Sequence, residues 1–298
     1  MKIAVTGGAG FIGSHLVDRL VADGHDVIVI DNLSNGRPEN INRQAVFIKH
    51  DVQNDMTDIF KTEKPEVVFH LAAQIDAAKS VAEPELDEAV NVGGTQNVIA
   101  ASHVSGVRKI IFSSTAAVYG DVQIRPTPED APLEPISQYG KSKLAAERLL
   151  AASGLDYVIL RYSNVYGPRQ GQKGEGGVVA IFGHKLLSVQ PPVINGDGLQ
   201  TRDFIYVDDV VAANLKALVA PVSLTLNVST STAVTINKLA EIMQSASKTA
   251  MSIPHGSSRR GDILHSQLDN ALAQGELGWQ PRVGLEEGIA LTIQSFRA

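Results

Sequence analysis

The segment that most constrains this chain is a glycine-spaced turn that directly follows a short apolar run. Ile3 to Val5 form that run, and Gly7, Gly10 and Gly13 follow at intervals of three. An amphipathic run comes next, so the segment predicts a strand, a tight turn and a helix. The first glycine would allow the turn, the second would let backbone approach a pyrophosphate, and the third would let the helix pack on the strand. The pyrophosphate would lie at the positive end of that helix.

An acidic residue ends the second predicted strand. The apolar run Val27 to Ile30 has the length of a strand, and Asp31 follows it, 18 residues after Gly13. A carboxylate at this point can bond both hydroxyls of an adenine ribose and would repel a 2′-phosphate. The order strand, glycines, helix, strand and acid therefore predicts a dinucleotide-binding unit that prefers NAD to NADP.

Charge and composition exclude several classes of protein. The net charge is −6 over 298 residues with no long basic run, which disfavours nucleic-acid binding. No apolar stretch could span a bilayer, and the first strand starts too early to leave room for a signal peptide, so we expect a soluble cytoplasmic protein. Cysteine is absent, and no cluster of His, Asp and Glu has metal-ligand spacing, so no metal site is expected. His70, at an apolar strand end, is expected to be a structural core residue.

Strand-like and helix-like runs alternate through the first half of the chain. Further strands are predicted at 46–50, 67–71, 109–112 and 157–161, with a helix over about 84–105. Such alternation predicts a parallel sheet with helices on both faces. We therefore expect a doubly wound α/β sheet of the Rossmann type, with its ligand at the carboxyl ends of the strands.

The composition changes after residue 166, where loops rich in Gly, Pro and Gln begin. Such loops are typical of segments that reach over a binding site. We expect an NAD-binding Rossmann domain over 1–166, its sheet completed by about 203–231 through strands at 203–206 and 224–228. A smaller C-terminal substrate-binding lobe is expected over 167–202 and 232–298.

Tyr139 and Lys143 are four residues apart on a predicted helix, so they share a face. A phenol is a poor base near neutral pH because its pKa is about 10. A nearby ammonium and a cationic nicotinamide would both favour the phenolate. A tyrosine in that setting can take a proton from an alcohol while hydride leaves the same carbon.

These motifs, together with the segment Arg161 to Pro168, resemble the extended short-chain dehydrogenase/reductase family. Within that family the chain is similar to the nucleotide-sugar epimerases of the UDP-glucose 4-epimerase type, over nearly its whole length. The resemblance implies an isomerase with NAD as cofactor, a UDP-sugar as substrate and a homodimer. Relatives often dimerise through the Tyr/Lys helix, which is shorter here and is expected to end near Ala152.

The resemblance also implies roles for individual residues. Tyr139 would be the base, Lys143 would tune it, and Thr115 would bond the sugar 4-hydroxyl, which makes these three the catalytic residues. The cofactor-binding residues would be Gly7, Gly10, Phe11, Ile12, Gly13, Asp31, Asn32, Asp51, Val52, Leu71, Ala72, Ala73, Gln74, Asn91, Ser113, Tyr139, Lys143 and Tyr162. The substrate-binding residues would be Thr115, Asn164, Arg202, Arg259, Asp262 and Ser266.

Two alanines after Thr115 discriminate among the reactions of this family. The related 4,6-dehydratases carry an Asp-Glu pair there, and decarboxylases carry a Glu, whereas this chain has Ala116 and Ala117. Without a base for the C5 proton, oxidation and re-reduction at C4 remain, which is epimerisation through a 4-keto sugar. The family's gatekeeper position holds the small Ser266, so UDP-GlcNAc and UDP-GalNAc are expected substrates beside UDP-glucose and UDP-galactose.

Two other functions stay open from the sequence. One is an NAD-dependent sugar-nucleotide dehydrogenase or reductase, which would show net redox turnover and accumulate changed cofactor. The other is a dinucleotide-sensing regulator on the same fold, since fold does not fix function. A regulator would be expected to lack the Tyr139/Lys143 pair, which this chain has.

Overall fold

The computed structural model describes residues 1–171, 177–221, 223–258 and 263–297. The strands are β1 (Lys2–Thr6), β2 (Asp26–Asp31), β3 (Val46–Lys49), β4 (Val67–His70), β5 (Lys109–Thr115), β6 (Asp156–Tyr162), β7 (Asn164–Tyr166), β8 (Ile194–Asn195), β9 (Thr201–Tyr206), β10 (Leu224–Val228), β11 (Ala233–Thr235) and β12 (His255–Gly256). The helices are α1 (Phe11–Ala22), α2 (Thr57–Glu63), α3 (Ala77–Ala82), α4 (Pro84–Glu88), α5 (Gly94–Ser105), α6 (Gln138–Ala151), α7 (Val178–Leu187), α8 (Val207–Val219), α9 (Ile236–Ser247), α10 (Ala271–Leu277) and α11 (Leu285–Ser295). None of these helices is long and apolar enough to cross a membrane.

A parallel sheet of seven strands forms the centre, in the order β10-β6-β5-β4-β1-β2-β3. The chain winds outward from β1 to β3, then returns to β4 on the other side of β1 and winds outward again. In such sheets the ligand crevice lies where the direction reverses, outside the carboxyl ends of the strands. The predicted doubly wound α/β fold is confirmed, and the switch point falls between β1 and β4.

Alternate residues of the strands point to opposite faces, so each face has its own apolar core. Ile3 and Val5 of β1 pack in the core that includes residues of α1 and α8. Ala4 points the other way, into a core shared with α2, α5 and α6. Both faces of the sheet are therefore covered by helices, as a parallel sheet requires.

One predicted strand lies outside the central sheet. The expectation that Asp203–Tyr206 returns to that sheet is wrong, because β9 pairs in parallel with β7 and antiparallel with β11 in a second sheet. The two sheets meet at Ser163, the single residue between β6 and β7. Its N–H donates to the carbonyl of Val228 in β10 (3.1 Å), and its Oγ donates to Asp203 Oδ1 in β9 (3.3 Å). The prediction that 224–228 completes the central sheet is confirmed, because β10 pairs in parallel with β6.

The C-terminal part of the chain divides between two cores. Helices α7, α9 and α11 pack on β9 around a separate apolar core, and Thr235 caps α9 by accepting from the N–H of Lys238 (3.1 Å). In contrast, α10 and the buried Trp279 belong to the core of the central sheet, and the indole Nε1 donates to the carbonyl of Asp209 (2.9 Å). The expectation that 232–298 lies wholly in the lobe does not hold for this segment, while the division into a Rossmann domain and a lobe stays a prediction.

Candidate active-site crevice

The glycine turn builds a cradle with no room for side chains. Gly7 has φ +71°, and a Cβ there would lie 2.7 Å from the backbone nitrogen of Ala72. A Cβ at Gly13 would lie 2.2 Å from the carbonyl oxygen of Gly7. Helix α1 begins directly after this turn, and the first N–H groups of a helix have no intrahelical partner and carry its positive end. The cradle therefore fits a pyrophosphate brought close to backbone.

The end of the crevice beside β2 is lined by carboxylates of β2 and of the loop after β3. Asp31 Oδ2 accepts from the N–H of Ala9 (3.0 Å), and Oδ1 accepts from that of Leu33 (2.8 Å). Burial raises the pKa of Asp31, although both bonds act to lower it. Asn32 Nδ2 donates to Asp51 Oδ2 (2.8 Å). The predicted residues that line this end are Gly7, Gly10, Asp31, Asn32, Asp51, Val52, Leu71, Ala72 and Ala73.

A larger cavity continues from the cradle toward the second sheet, and it gathers predicted catalytic and substrate residues that lie far apart in the chain. The predicted residues on its wall are Gly7, Gly10, Phe11, Ile12, Gly13, Leu71, Ala73, Ser113, Thr115, Tyr139, Lys143, Tyr162, Asn164 and Arg202. Gly7, Gly10, Leu71 and Ala73 line both cavities, so the two form one continuous crevice. This crevice extends from Asp31 to Arg202.

Three predicted residues lie behind or beside the wall, and two others are outside the described part of the chain. Gln74 and Asn91 are buried and bond each other, since the N–H of Gln74 donates to Asn91 Oδ1 (2.8 Å) and Asn91 Nδ2 donates to the carbonyl of Gln74 (2.9 Å). Ser266 lies beside β9, where its N–H donates to the carbonyl of Thr201 (3.1 Å). The predicted roles of Arg259 and Asp262 fall outside the described residues.

Helix α6 carries Tyr139 and Lys143 to the crevice wall. Ser137 caps its start by accepting from the N–H of Gly140 (3.0 Å), and the helix ends at Ala151, which confirms the predicted end near Ala152. Gly140 allows close packing, because a Cβ there would lie 2.6 Å from the carbonyl oxygen of Ala117. The helix thus packs directly on the turn that follows Thr115.

Lys143 is an almost completely buried ammonium. Its side chain lies beneath the crevice with Nζ 4.2 Å from the centre of the Phe112 ring. Burial lowers the pKa of Lys143 to about 7, against the opposing effect of Glu147 and Asp87. A cation that titrates near neutral pH can respond to a charge that develops beside it.

His70 is a structural residue, as predicted. The Thr95 hydroxyl donates to the carbonyl of Asn91 (2.6 Å), so it must accept from His70 Nε2 (3.1 Å). His70 Nδ1 therefore accepts from the hydroxyl of Thr6 (2.7 Å), and the ring is neutral. Burial lowers the pKa of His70 to about 3, with a further contribution from Lys143.

A buried ion pair behind α6 was not foreseen from the sequence. Arg161 donates from Nε to Glu147 Oε1 (3.1 Å) and from Nη2 to Oε2 (2.7 Å), and both side chains are 5% exposed. The Ser114 hydroxyl also donates to Glu147 Oε1. Arg161 Nη1 donates to the Tyr119 hydroxyl (2.9 Å), which donates to Asn227 Oδ1 (2.7 Å). An arginine within an apolar strand, and a glutamate one turn after Lys143, were the signals that could have revealed it.

Comparisons with known proteins agree with this geometry. Residues 3–229 match the NAD dependent epimerase/dehydratase family. The chain is 43% identical to a UDP-glucose 4-epimerase of Mycolicibacterium smegmatis, covering 100% of this chain and 99% of that one. It is 45% identical to the crystal structure of UDP-glucose 4-epimerase with UDP-glucose from Thermotoga maritima, with a TM-score of 0.98 over 100% and 99% of the two chains. The Thermus thermophilus UDP-glucose 4-epimerase in complex with NAD is 39% identical, with a TM-score of 0.95 over 100% and 99%.

Proposed function

The chain belongs to the NAD-dependent epimerase/dehydratase family, and from that premise we propose that it interconverts UDP-glucose and UDP-galactose at C4. It is an epimerase, an isomerase that uses NAD as its cofactor. The observation that carries the proposal is the placement of Thr115, Tyr139 and Lys143 in one crevice. Ala116 and Ala117 follow Thr115, where the dehydratases and decarboxylases that the chain resembles carry carboxylates.

The crevice offers the groups that a bound dinucleotide needs. The cradle and the first turn of α1 would hold the pyrophosphate, Asp31 would bond the adenine ribose, and Lys143 would bond the nicotinamide ribose. When bound, NAD supplies a reversible hydride acceptor for the C4 carbon. Hydride is taken and returned in one cycle, so net turnover needs no added oxidant.

The chain's own residues would move the proton and hold the substrate. Tyr139 takes the proton of the 4-hydroxyl, which Thr115 orients, and returns it after the 4-keto sugar has turned over in the cavity. The ammonium of Lys143 favours the phenolate of Tyr139. Arg202 and Asn164 line the far end of the cavity, where a planar guanidinium suits the oxygens of a diphosphate. Tethering at the diphosphate leaves the hexose free to present either face.

Incubation with a single UDP-hexose tests this function directly. Purified enzyme is given UDP-galactose or UDP-glucose, and the anomeric signals are followed by proton NMR. We expect both reactions to reach the same mixture, with no accumulation of reduced cofactor in the ultraviolet absorbance. The absence of any UDP-hexose interconversion would contradict the proposal, and stoichiometric cofactor reduction would indicate the dehydrogenase alternative.

The substrate range forms a finer part of the proposal. In support, the N–H of Ser266 donates to the carbonyl of Thr201, and the next residue on β9, Arg202, lines the larger cavity. A serine leaves room for an N-acetyl group, and we expect interconversion of UDP-GlcNAc and UDP-GalNAc as well. Ser266→Tyr should remove this activity and keep that on UDP-glucose, and N-acetyl activity that survives the substitution would contradict the volume argument.

We also propose a homodimer and a cytoplasmic location. The support for the dimer is the resemblance to relatives that often pair through the helix equivalent to α6. Light scattering coupled to size-exclusion chromatography should give twice the mass of the chain, and cell fractionation should recover the protein with the cytoplasmic enzymes. A monomeric mass at working concentrations would contradict the first expectation, and recovery in another fraction would contradict the second.

A further inference from the structure

The side chain of Gln74 is buried, and both polar atoms of its amide are hydrogen-bonded. Its Oε1 accepts from the N–H of Asp76 (2.7 Å), and its Nε2 donates to the carbonyl of the same residue (3.0 Å). Nε2 also donates to Asp87 Oδ1 (2.9 Å). An amide offers an acceptor on one atom and two donors on the other, so these three bonds define a single orientation of the side chain.

Asp87 is the completely buried carboxylate at which this arrangement ends. It precedes a π-helical turn, Ala89–Gly93, between α4 and α5, and such turns are often found at functional sites. Asn91, within the turn, bonds both main-chain groups of Gln74, and its Nδ2 also donates to Asp87 Oδ1 (3.2 Å). The turn therefore brings a carboxylate and an amide together, and both bind Gln74.

One route of hydrogen bonds leads from Gln74 to Tyr139 through α3. Asp76 caps α3, because its side chain accepts from two N–H groups of the first turn (2.8 and 3.0 Å). Ser80, on the same helix, accepts through its Oγ from the N–H of Tyr139 (3.2 Å). Tyr139 is the second residue of α6, so that helix offers no carbonyl to this N–H. A shift of α3 would therefore weaken the bond from Tyr139 to Ser80.

A second route reaches the carbonyl of Tyr139 through Asn91. Asn91 Nδ2 donates to Ser142 Oγ (3.0 Å), and the Ser142 hydroxyl donates to the carbonyl of Tyr139 (3.0 Å). The main-chain N–H and carbonyl of Tyr139 are thus bonded to two residues, Ser80 and Ser142, that are each linked back to Gln74. Ser80 and Ser142 are both buried, so water competes little for these bonds.

We propose that Gln74 and Asp87 are positioning residues of the crevice, and that their hydrogen bond holds the first turn of α6 so that the Tyr139 side chain keeps its place on the wall. Both residues lie behind the wall and act through α3 and Asn91. The consequence for catalysis rests on the proposed function, in which Tyr139 is the base. The effect on the main chain of Tyr139 does not depend on the reaction.

Amide hydrogen exchange tests the effect on the main chain of Tyr139 directly. Gln74→Glu keeps the size of the side chain, removes both donors and places a second carboxylate beside Asp87. The N–H of Tyr139 should exchange about tenfold faster in this variant when it is followed by NMR. The N–H of Gly140 is bonded to Ser137 within α6 and should keep its exchange rate, which makes it an internal control.

Activity gives a second measurement. Gln74→Glu should lower kcat by about tenfold or more and leave KM for UDP-galactose within about twofold, because Tyr139 is misplaced while Arg202 still holds the diphosphate. The double variant Gln74→Glu/Asp87→Asn offers the new carboxylate an amide donor. It should bring kcat and the exchange rate of the Tyr139 N–H back to within about threefold of wild type. Gln96→Glu, the same change at an exposed position of α5, is the matched control and should change neither.

Several results would overturn the proposal. One is an unchanged exchange rate of the Tyr139 N–H in folded Gln74→Glu, another is an equal acceleration at Gly140, and a third is a double variant no better than the single one. If Gln74→Glu does not fold, Gln74→Met removes the same bonds without adding a charge, and its exchange rates are judged in the same way. A wild-type protein without UDP-hexose interconversion would contradict the proposed function, while hydrogen exchange would still decide the role of Gln74 and Asp87.

Discussion

Two buried cations, Lys143 of α6 and Arg161 of β6, differ in how their charge is partnered. Arg161 of β6 meets Glu147 of α6 through two parallel hydrogen bonds and also bonds Tyr119, so its donors are directed at fixed acceptors. Lys143 of α6 has an aromatic ring 4.2 Å away and carboxylates that act on it through space. Both are desolvated, yet only Lys143 has a pKa close to neutral.

The comparison of Arg161 with Lys143 distinguishes two roles that a buried charge can have. A charge whose hydrogen bonds are all made is locked, and it fixes the position of neighbouring elements. A charge that is buried but loosely partnered can respond to its surroundings, and such groups cluster at functional sites. We therefore expect the Arg161 cluster to carry stability and Lys143 to carry activity.

The largest expected effect is on activity. Lys143→Met should lower the rate of UDP-hexose epimerisation by about 10²- to 10⁴-fold, because Tyr139 loses the cation that favours its phenolate. The NMR assay of UDP-galactose conversion measures it. Lys141→Met, at an exposed position of the same helix, is the control and should keep near wild-type rates. Equal rates in the two variants would contradict the expectation that Lys143 is needed for activity.

The next effect is on stability. Arg161→Met leaves Glu147 buried without its cation, and this should lower the free energy of unfolding by about 3–5 kcal/mol. Urea unfolding measures the change, with exposed Arg148→Met as the control, for which about 0.5 kcal/mol or less is expected. A loss as small as that of the control would show that the bidentate pair does not stabilise the fold.

A smaller loss of stability is expected at Tyr119, which lies at the edge of the hydrogen-bonded cluster around Arg161. Tyr119→Phe removes the hydroxyl that bridges Arg161 and Asn227 and leaves the Asn227 amide oxygen without its donor. The free energy of unfolding should fall by about 1–3 kcal/mol, with partly exposed Tyr157→Phe as the control. If the loss exceeded that of Arg161→Met, the hydroxyl and not the ion pair would be the centre of the cluster.

The smallest effect is a difference in pH dependence. Folding lowers the pKa of Lys143 from 10.5 to about 7, so between these values the unfolded chain binds more protons and stability rises with pH. Below pH 7 the full cost of the buried ammonium is present. Without NAD, the stability of the wild type relative to Lys143→Met should therefore increase by up to about 1.4 kcal/mol per pH unit above pH 7. Parallel stability profiles from pH 6 to 9 would contradict this.

The N-terminal half of the fold was accessible from the sequence because its signals are local. Gly7, Gly10 and Gly13 encode one turn and one close packing contact, and the apolar strands alternate with helices in a regular order. The end of α6 was foreseen from the resemblance instead, because the segment that carries Tyr139 and Lys143 is shorter here than in relatives. A sequence pattern can predict a strand, however, without indicating which neighbouring strand it pairs with. The sequence therefore did not predict that β9 belongs to a second sheet. Trp279 was missed likewise, because a tail of low periodicity gives no sign of which core it joins.

The residues that line the crevice were predictable from the sequence, whereas the buried groups behind its wall were not. The motif residues from Gly7 to Arg202 lie along it. Gly7 and Thr115 are there because they lie at the carboxyl ends of β1 and β5, whereas Tyr139 and Lys143 come from α6. The buried charged groups behind the wall were not found, because Asp87, Glu147 and Arg161 come from separate elements that packing alone unites. The π-helical turn that orients Asp87 has no recognisable local sequence signal, and the predicted helix over 84–105 passed straight through it.

The single residue between β6 and β7 has a mechanical consequence. Ser163 is bonded to one sheet through its N–H and to the other through its hydroxyl, so both ends of the connection between the two sheets are held at one residue. Side chains alternate along an extended strand, and one inserted residue there would turn Asn164 from one side of the chain to the other. The position of Asn164 relative to the central sheet is thus fixed by a connection of one residue, whatever side chains surround it.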